Sequence, residues 1–432
     1  MISGIIRISR ALHGQVTPFV FVAAPLALAM PWQWGLVNYW LSAGLAFHAF
    51  ATWVAADINR WSAMRRAAVF AVVTPIIWLS HAYGWAIFLV LVFSYEITRM
   101  WSANVRDLPK VAGQLIIRIW PAALPIVLTL IWQHGREGAE TSGFFYFRHK
   151  LHAFTYVLRD QNIVVDIISQ FFILCVLLLI YLGYRRQKVL ISSALAVAVV
   201  IFAALVLILP HELFGSYFTD DRLWPIVLIM ALTAACPCDK AWRLSRTVAG
   251  IAVGLFAIRM VVMAHGFIQY NLEYQSDLRA LDHIPEGASI AILTPTDCGN
   301  LENWRWDRLE HLGSLAIVRK RAFVNSQFSA SGAQLLLPLR ALGTEYNSDP
   351  SELLPGRWRD CSVPVEPLLG KRILDIPRDR FDYVWLINFD ARSLPGYAGL
   401  VQVYANERSS LYRLSRESSS SSRHIYRQRG RI

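Results

Sequence analysis

Long apolar runs dominate the first two thirds of this chain. Runs of about 18 or more apolar residues are long enough to cross the hydrocarbon core of a bilayer as helices. Only 17% of the 432 residues are charged, whereas soluble domains usually carry about 25%. The sequence therefore predicts an α-helical polytopic membrane protein. Its predicted spans, about nine, lie near residues 17–33, 36–56, 66–81, 84–99, 112–133, 163–184, 188–209, 223–238 and 247–267.

Basic residues indicate how the predicted spans are oriented. Lys and Arg collect in short loops on the cytoplasmic side of membrane proteins. They cluster in the N-terminal segment and in the loops after predicted spans two, four, six and eight, and nine crossings place all these clusters on one side. This pattern predicts a cytoplasmic N-terminus. It also accounts for the net charge of +12 without a nucleic-acid partner, since no nucleic-acid-binding motif is present.

The composition changes at about residue 268. A transmembrane domain over 1–267 is followed by polar stretches, Gly/Pro turns and strand-like runs, which predict an extracytoplasmic α/β domain over 268–416. The last residues, 417–432, are rich in Ser and Arg and predict a disordered tail. Cys298 and Cys361 both fall in the extracytoplasmic domain, where the compartment permits a disulfide between them.

The strand-like runs give the second domain its predicted class. ASIAIL at 288–293 and FDYVWLIN at 381–388 are typical of buried strands. VQVYA and SSLYRL are separated by Asn406–Arg408 and predict a terminal hairpin. The spacing in 311–323 predicts a helix.

The loop between predicted spans seven and eight carries candidate catalytic side chains at the outer membrane surface. Asp220 and Asp221 are candidates for holding a metal ion, and Arg222 for pairing with a phosphate oxygen. His211 and Glu212 are candidates for acid–base work. The alternative to a functional role is a loop end that is polar because it is exposed to water, with an ion pair between an Asp and Arg222.

The loop between predicted spans five and six contains a basic cluster next to aromatic residues. Arg148, His149 and Lys150 follow the run FFYF. This order is typical of a segment that lies in the headgroup layer. The segment would hold a lipid-linked phosphate, with aromatic rings on the lipid chain. The alternative is a plain interfacial helix in contact with membrane lipids.

Two arginines lie inside predicted spans. An ionisable residue there is a functional candidate, which makes Arg118 and Arg259 further candidates for phosphate binding. Both also lie near a span end, where snorkelling to the surface is the alternative. Pro121 and Pro125 predict a kink in span five.

Several stretches together resemble a known family. They are WGLVNYWLSAGLAFHAFATWV at 34–54, WLSHAYGWAIF at 78–88, LPHELFGSYFTDDRLWP at 209–225 and the ending FDYVWLIN…YANERSSLYRL. In this order they resemble bacterial multi-spanning proteins related to the GT-C glycosyltransferases, which use a polyprenyl-phosphate-linked sugar.

The resemblance implies a protein of the bacterial inner membrane with a periplasmic C-terminal domain. It implies transfer of a sugar at the outer face to an envelope glycan or lipid acceptor. Arg222 and the cluster 148–150 would bind the donor phosphate, and Asp220 or Asp221 would supply the acid. In this family the acid deprotonates or orients the acceptor, or holds a divalent metal ion.

One departure from the family keeps other functions open. GT-C enzymes carry their acid in the first extracytoplasmic loop, whereas here residues 32–35 join the first two predicted spans without any acid. Either an N-terminal portion is missing, or another loop supplies the acid, or the protein is not a catalyst. The alternatives are a non-catalytic scaffold or export component for an envelope polymer, and a transporter.

Overall fold

The computed structural model describes residues 1–102, 108–133, 141–214, 216–238, 242–295, 304–305, 308–327, 365–389 and 399–415. The chain forms two compact units, residues 1–263 and 264–432. Four of the described helices are long and apolar enough to cross a membrane, and a bent helix pair would make a fifth crossing. The protein is thus a membrane-embedded, mostly helical chain with a C-terminal sheet region.

Thirteen helices are described up to the start of the sheet region. They are α1 Ile2–His13, α2 Phe19–Val22, α3 Met30–Gln33, α4 Val37–Ile58, α5 Ala63–Ser80, α6 Ala82–Ser102, α7 Leu108–Ala123, α8 Pro125–Gln133, α9 Phe147–Thr155, α10 Ile163–Arg185, α11 Ser193–Ile208, α12 Trp224–Thr233 and α13 Trp242–Leu278. The four long apolar helices are α4, α5, α10 and α13.

Helix α4 lies at the centre of the first unit. Its aromatic side chains Phe47, Phe50 and Trp53 are fully buried. Helix α6 approaches it closely at Gly84, where a Cβ atom would lie 2.0 Å from Ser42 Oγ. Glycine is therefore required at this crossing, since any larger residue would push the two helices apart.

Three predicted spans form shorter helices than expected. In the predicted span 188–209, a three-residue strand precedes α11, which has 16 residues. The predicted span 17–33 is divided into α2, a 3-10 turn and α3, because prolines such as Pro25 and Pro31 lack the N–H that a continuous helix requires. In the predicted span 223–238, α12 has only 10 residues and is followed by a short strand. Its residues are almost all buried against protein, and a helix of 10 residues does not cross a bilayer by itself.

The predicted kink in span five is confirmed. Helices α7 and α8 are bent by 61° where they meet. Helix α8 begins at Pro125, whose missing N–H interrupts the backbone hydrogen bonding.

Segments that the charge pattern assigns to the same side are in contact. Strand β1, Val189–Ile191, follows α10 and pairs antiparallel with β2, Ala235–Pro237, which follows α12. Toward the other predicted side, the backbones of Ser142 and Glu212 exchange two hydrogen bonds of 3.0 and 3.1 Å. This second contact joins the two loops in which the sequence places candidate site residues.

The second unit contains a five-stranded sheet. Its strands are β3 Ser289–Leu293, β4 Phe323–Val324, β5 Tyr383–Ile387, β6 Leu400–Ala405 and β7 Ser409–Leu414, in the order β4-β3-β5-β7-β6. β3 is parallel to β4 and β5, and β7 is antiparallel to β5 and β6. The predicted strands and terminal hairpin are therefore confirmed.

Helices cover both faces of this sheet. Alternate residues of β3 enter two apolar cores, Ile290 and Ile292 in one and Ala291 and Leu293 in the other. Helix α14, Leu315–Lys320, contributes to the first core, and α15, Val365–Asp375, to the second. The predicted helix within 311–323 is α14 with the 3-10 turn before it. Residues 268–278, which the sequence assigns to the second domain, are the end of helix α13. Cys298, Cys361 and the tail 417–432 lie outside the described residues.

Candidate functional site

The structure brings residues of the two loops into one buried cluster. Helix α9 supplies His149 and Lys150, and the segment after α11 supplies His211, Asp220 and Asp221. The backbone pairing of the two loops positions both segments. Gly143 fits this arrangement because its φ is +76° and a Cβ there would lie 2.8 Å from the Cβ of the neighbouring histidine.

Lys150 and Asp220 form an ion pair inside the protein. The Nζ atom lies 2.7 Å from Asp220 Oδ2, and both side chains have 0% exposed surface. Lys150 also donates to the carbonyl oxygens of Val206 and Leu209, at 3.0 and 2.5 Å. These carbonyls belong to the C-terminal end of α11, where a positive charge is favourable. Lys150 therefore ties α9 to α11 instead of extending into the headgroup layer.

Asp220 is fully engaged by its neighbours. Its Oδ1 atom accepts hydrogen bonds from His211 Nδ1 and from the backbone N–H of Asp221, each at 3.0 Å. Burial alone would raise its pKa, but the bonds from His211 and Lys150 and their charges outweigh burial and lower it. Asp220 is therefore a stably ionised carboxylate that orients its partners.

Asp221 differs from Asp220 in its hydrogen-bond partners and in the direction of its pKa shift. His149 Nε2 lies 3.0 Å from its Oδ2 atom. Its Oδ1 atom is buried and accepts no hydrogen bond from the described residues. Burial, and the negative charge of Asp220 as a smaller cause, raise the pKa of Asp221. The two adjacent carboxylates thus differ in their partners, because both oxygens of Asp220 accept hydrogen bonds whereas Asp221 Oδ1 accepts none from the described residues.

Three side chains of the cluster have the composition of a metal site. His149, His211 and Asp221 each offer one ligand atom, and these three atoms lie within 4.8 Å of one another. The two imidazole rings meet edge to face with centroids 4.7 Å apart. Asp221 and His211 are buried, and His149 is partly exposed.

Arg222 lies beside the cluster among aromatic rings. Its guanidinium carbon is 5.7 Å from the ring centroid of Tyr39 and 5.6 Å from that of Tyr83. One of its terminal nitrogens donates to the carbonyl oxygen of Tyr217 at 2.6 Å. Its Nε atom is buried and makes no hydrogen bond within the described residues. Burial lowers the pKa of Arg222.

Exposed aromatic residues precede the cluster in the chain. Phe144, Phe145, Tyr146 and Phe147 are all exposed, and so is Arg148 immediately after them. This is the composition expected of a segment at the membrane–water boundary.

The remaining sequence-predicted residues lie outside the cluster. Glu212 accepts a hydrogen bond of 2.9 Å from the Ser142 hydroxyl and thereby holds the two loops together. Arg118 pairs with the fully buried Glu96 at 3.3 Å. Arg259 pairs with Asp166 at 2.5 Å, and both side chains are nearly completely buried.

Sequence reasoning missed the partners of these arginines. Glu96 lies inside predicted span four, and an ionisable residue in a span is itself a signal. Asp166 follows the helix N-cap Asn162, so its position near a span start concealed it.

Tyr39, which contacts Arg222, gave no signal in the sequence, since an aromatic residue in an apolar helix is ordinary. Its hydroxyl donates to the backbone carbonyl of Arg222 at 2.8 Å.

No protein-family model, curated protein or solved structure matches this chain. Function must therefore be argued from the cluster itself. It combines a buried carboxylate with one oxygen that accepts no hydrogen bond from the described residues, two imidazoles and a buried arginine. All of them lie in the loops that the charge pattern places outside. Such a set can exchange protons, bind a cation, or bind an anionic group.

Proposed function

We propose that this chain is an inner-membrane, glycosyltransferase-like protein of bacterial cell-envelope assembly. It would transfer sugar from a polyprenyl-phosphate-linked donor to an envelope glycan or lipid acceptor at the outer face. The observation that carries the proposal is the buried carboxylate Asp221, which lies beside His149 and keeps one oxygen without a hydrogen bond from the described residues, in loops that the charge pattern places outside. The resemblance of several sequence stretches to GT-C enzymes agrees with it.

The proposed topology has nine crossings, a cytoplasmic N-terminus and a periplasmic second unit. Two contacts support this topology. Strand β1 pairs with β2 at span ends next to the basic loops, and Ser142 pairs with Glu212 between the loops that follow predicted spans five and seven. The short or broken segments at 17–33 and 223–238 would complete the crossings while packed against neighbouring helices.

The donor would approach through the segment that precedes the cluster. The exposed rings of Phe144–Phe147 would contact the isoprenoid chain, and the exposed Arg148 would contact the phosphate. His149 is the partly exposed member of the cluster and connects this surface with Asp221. Lys150 is excluded from direct phosphate contact by its complete burial.

Asp221, and not Asp220, is the proposed reactive acid. Both oxygens of Asp220 already accept hydrogen bonds. Asp221 keeps one oxygen that accepts no hydrogen bond from the part of the chain described here, so it is the carboxylate that can accept a hydrogen bond from an acceptor hydroxyl. This chain would thus supply the acid from the loop after α11 instead of from the loop after its first predicted span.

The test is a transfer assay on purified protein in lipid vesicles with radiolabelled polyprenyl-phosphate sugars. We expect Asp221→Asn to lower the turnover by about 10²–10⁴-fold, the range for loss of an acid–base group. Asp282→Asn makes the same chemical change at an exposed position and should leave turnover unaltered. If Asp221→Asn retains wild-type turnover, the catalytic proposal fails and a scaffold or export component is favoured.

A further inference from the structure

We infer that His149, His211 and Asp221 bind one divalent first-row transition-metal ion, with Zn²⁺ preferred over Mg²⁺. Two imidazoles and one carboxylate are an established ligand set for such ions. The three ligand atoms already lie within 4.8 Å of one another. Because Zn–N and Zn–O distances are about 2.0–2.2 Å, one ion reaches all three after small rotations of the side chains.

The surroundings of His211 match those of a metal-binding histidine. Metal-ligating histidines almost always donate their other ring N–H to a carboxylate or carbonyl, which fixes the tautomer. Here His211 Nδ1 lies 3.0 Å from Asp220 Oδ1, and Asp220 is itself held by Lys150 at 2.7 Å. With the proton on Nδ1, the lone pair is on Nε2, the nitrogen that would bind the ion. Asp220 thereby acts as a positioning residue.

Asp221 is the carboxylate that most needs a cation. Its side chain is 2% exposed, and its Oδ1 atom accepts no hydrogen bond from the described residues. Buried polar atoms are nearly always satisfied by protein, ordered water or an ion. The Oδ2 atom lies 3.0 Å from His149 Nε2, and an ion between these atoms would replace the proton they share.

The ligand types determine which ions fit. Mg²⁺ and Ca²⁺ select oxygen ligands, whereas imidazole suits Zn²⁺ and its neighbours. Lys150 already neutralises Asp220, so a divalent ion beside Asp221 and the neighbouring Arg222 leaves an excess of positive charge. Three protein ligands also leave a coordination position open. A phosphate oxygen would fill the open coordination position and balance the excess positive charge. Only this phosphate ligand rests on the proposed function.

The experiment measures metal binding directly, without any sugar donor. The full-length protein is purified in detergent with a tag that contains no histidine, stripped with a chelator, and titrated with Zn²⁺, Mg²⁺ and Co²⁺. Binding is followed by calorimetry and by bound-metal content, and Co²⁺ also by its visible absorption bands. Variants are His149→Ala, Asp221→Asn and Asp220→Asn. His152→Ala, an exposed histidine on the same helix, is the matched control.

We expect one Zn²⁺ per chain in the wild type and in His152→Ala, and at least 100-fold weaker binding in His149→Ala and Asp221→Asn. Asp220→Asn, which alters only the positioning residue, should bind roughly 10–100-fold more weakly. Thermal melting identifies variants that fail to fold, and in that case the milder His149→Gln replaces His149→Ala.

Two results would overturn the inference: no Zn²⁺ bound by the wild type, or equal binding by wild type and His149→Ala. Inorganic phosphate added to the Co²⁺ form should shift its visible bands. Unchanged bands would refute the phosphate ligand while the ion remained bound. Sugar transfer without bound metal would refute a catalytic need for the ion and leave the proposed function standing, so the two proposals fail separately.

Discussion

Replacing Lys150 with methionine isolates the contribution of the buried ion pair to stability. Methionine has a similar length but no charge, so Asp220 keeps its place and loses its cation. Both side chains of the pair have 0% exposed surface. Removing one partner of a buried pair destabilises proteins by about 3–5 kcal/mol, because the other charge is left uncompensated. The carbonyl oxygens of Val206 and Leu209 lose their donor as well.

The expected loss of unfolding free energy for Lys150→Met is therefore about 3–5 kcal/mol. It stays near that range because His211 and the Asp221 N–H continue to stabilise the Asp220 carboxylate. The assay is reversible unfolding in mixed micelles by titration with SDS. Arg148→Met makes the same change one residue earlier, at an exposed position, and should alter stability by less than about 0.5 kcal/mol.

A double variant separates the charge from the packing. Lys150→Met with Asp220→Asn removes both charges, so it should be less destabilised than the sum of the two single variants, with a coupling within about 0.5–3 kcal/mol. A loss below about 1 kcal/mol for Lys150→Met, or strictly additive single effects, would refute the argument that burial of the pair governs its energy.

Two further predictions concern the loop pairing and the pair in the helices. Gly143→Ala should lower the free energy of unfolding by about 1–3 kcal/mol, because the alanine would have a φ of +76° and a Cβ 2.8 Å from His211 Cβ. An unchanged melting temperature would contradict this close approach. Arg259→Met should lower the free energy of unfolding by about 3–5 kcal/mol, because it leaves the buried Asp166 carboxylate without its cation. Restoration of stability by Asp166→Asn in the same chain checks that reasoning, and no restoration would refute it.

Much of the fold follows from local sequence patterns. The apolar runs, the basic loops, the kink at Pro125 and the strands of the second unit are each encoded within a short stretch. The number of membrane crossings does not follow from local sequence patterns. The run 223–238 is apolar enough for a span, but its residues face protein, and hydropathy alone does not distinguish a buried helix from a lipid-facing one.

The site was predictable in its residues but not in its geometry. The sequence marks Asp220 and Asp221 equally as acids, and only the structure separates them through their different partners. The pairing of His149 with His211 joins two loops that are distant along the chain, and no helical spacing brings them together. Lys150 was expected at the headgroup level together with Arg148, but Arg148 is exposed and Lys150 is buried. The sequence does not reveal which of two neighbouring cations faces inward.

The distance along the chain between Lys150 and Asp220 has a consequence for biosynthesis. The two residues are separated by 70 positions. At about 5–20 residues per second, ribosomes need roughly 4–14 s to make the intervening chain. During this interval Lys150 lacks the carboxylate that neutralises it in the folded protein. The contact of α9 with α11 through this ion pair would therefore form only after the segment carrying Asp220 has been synthesised, which makes the pair a late step in folding of the first unit.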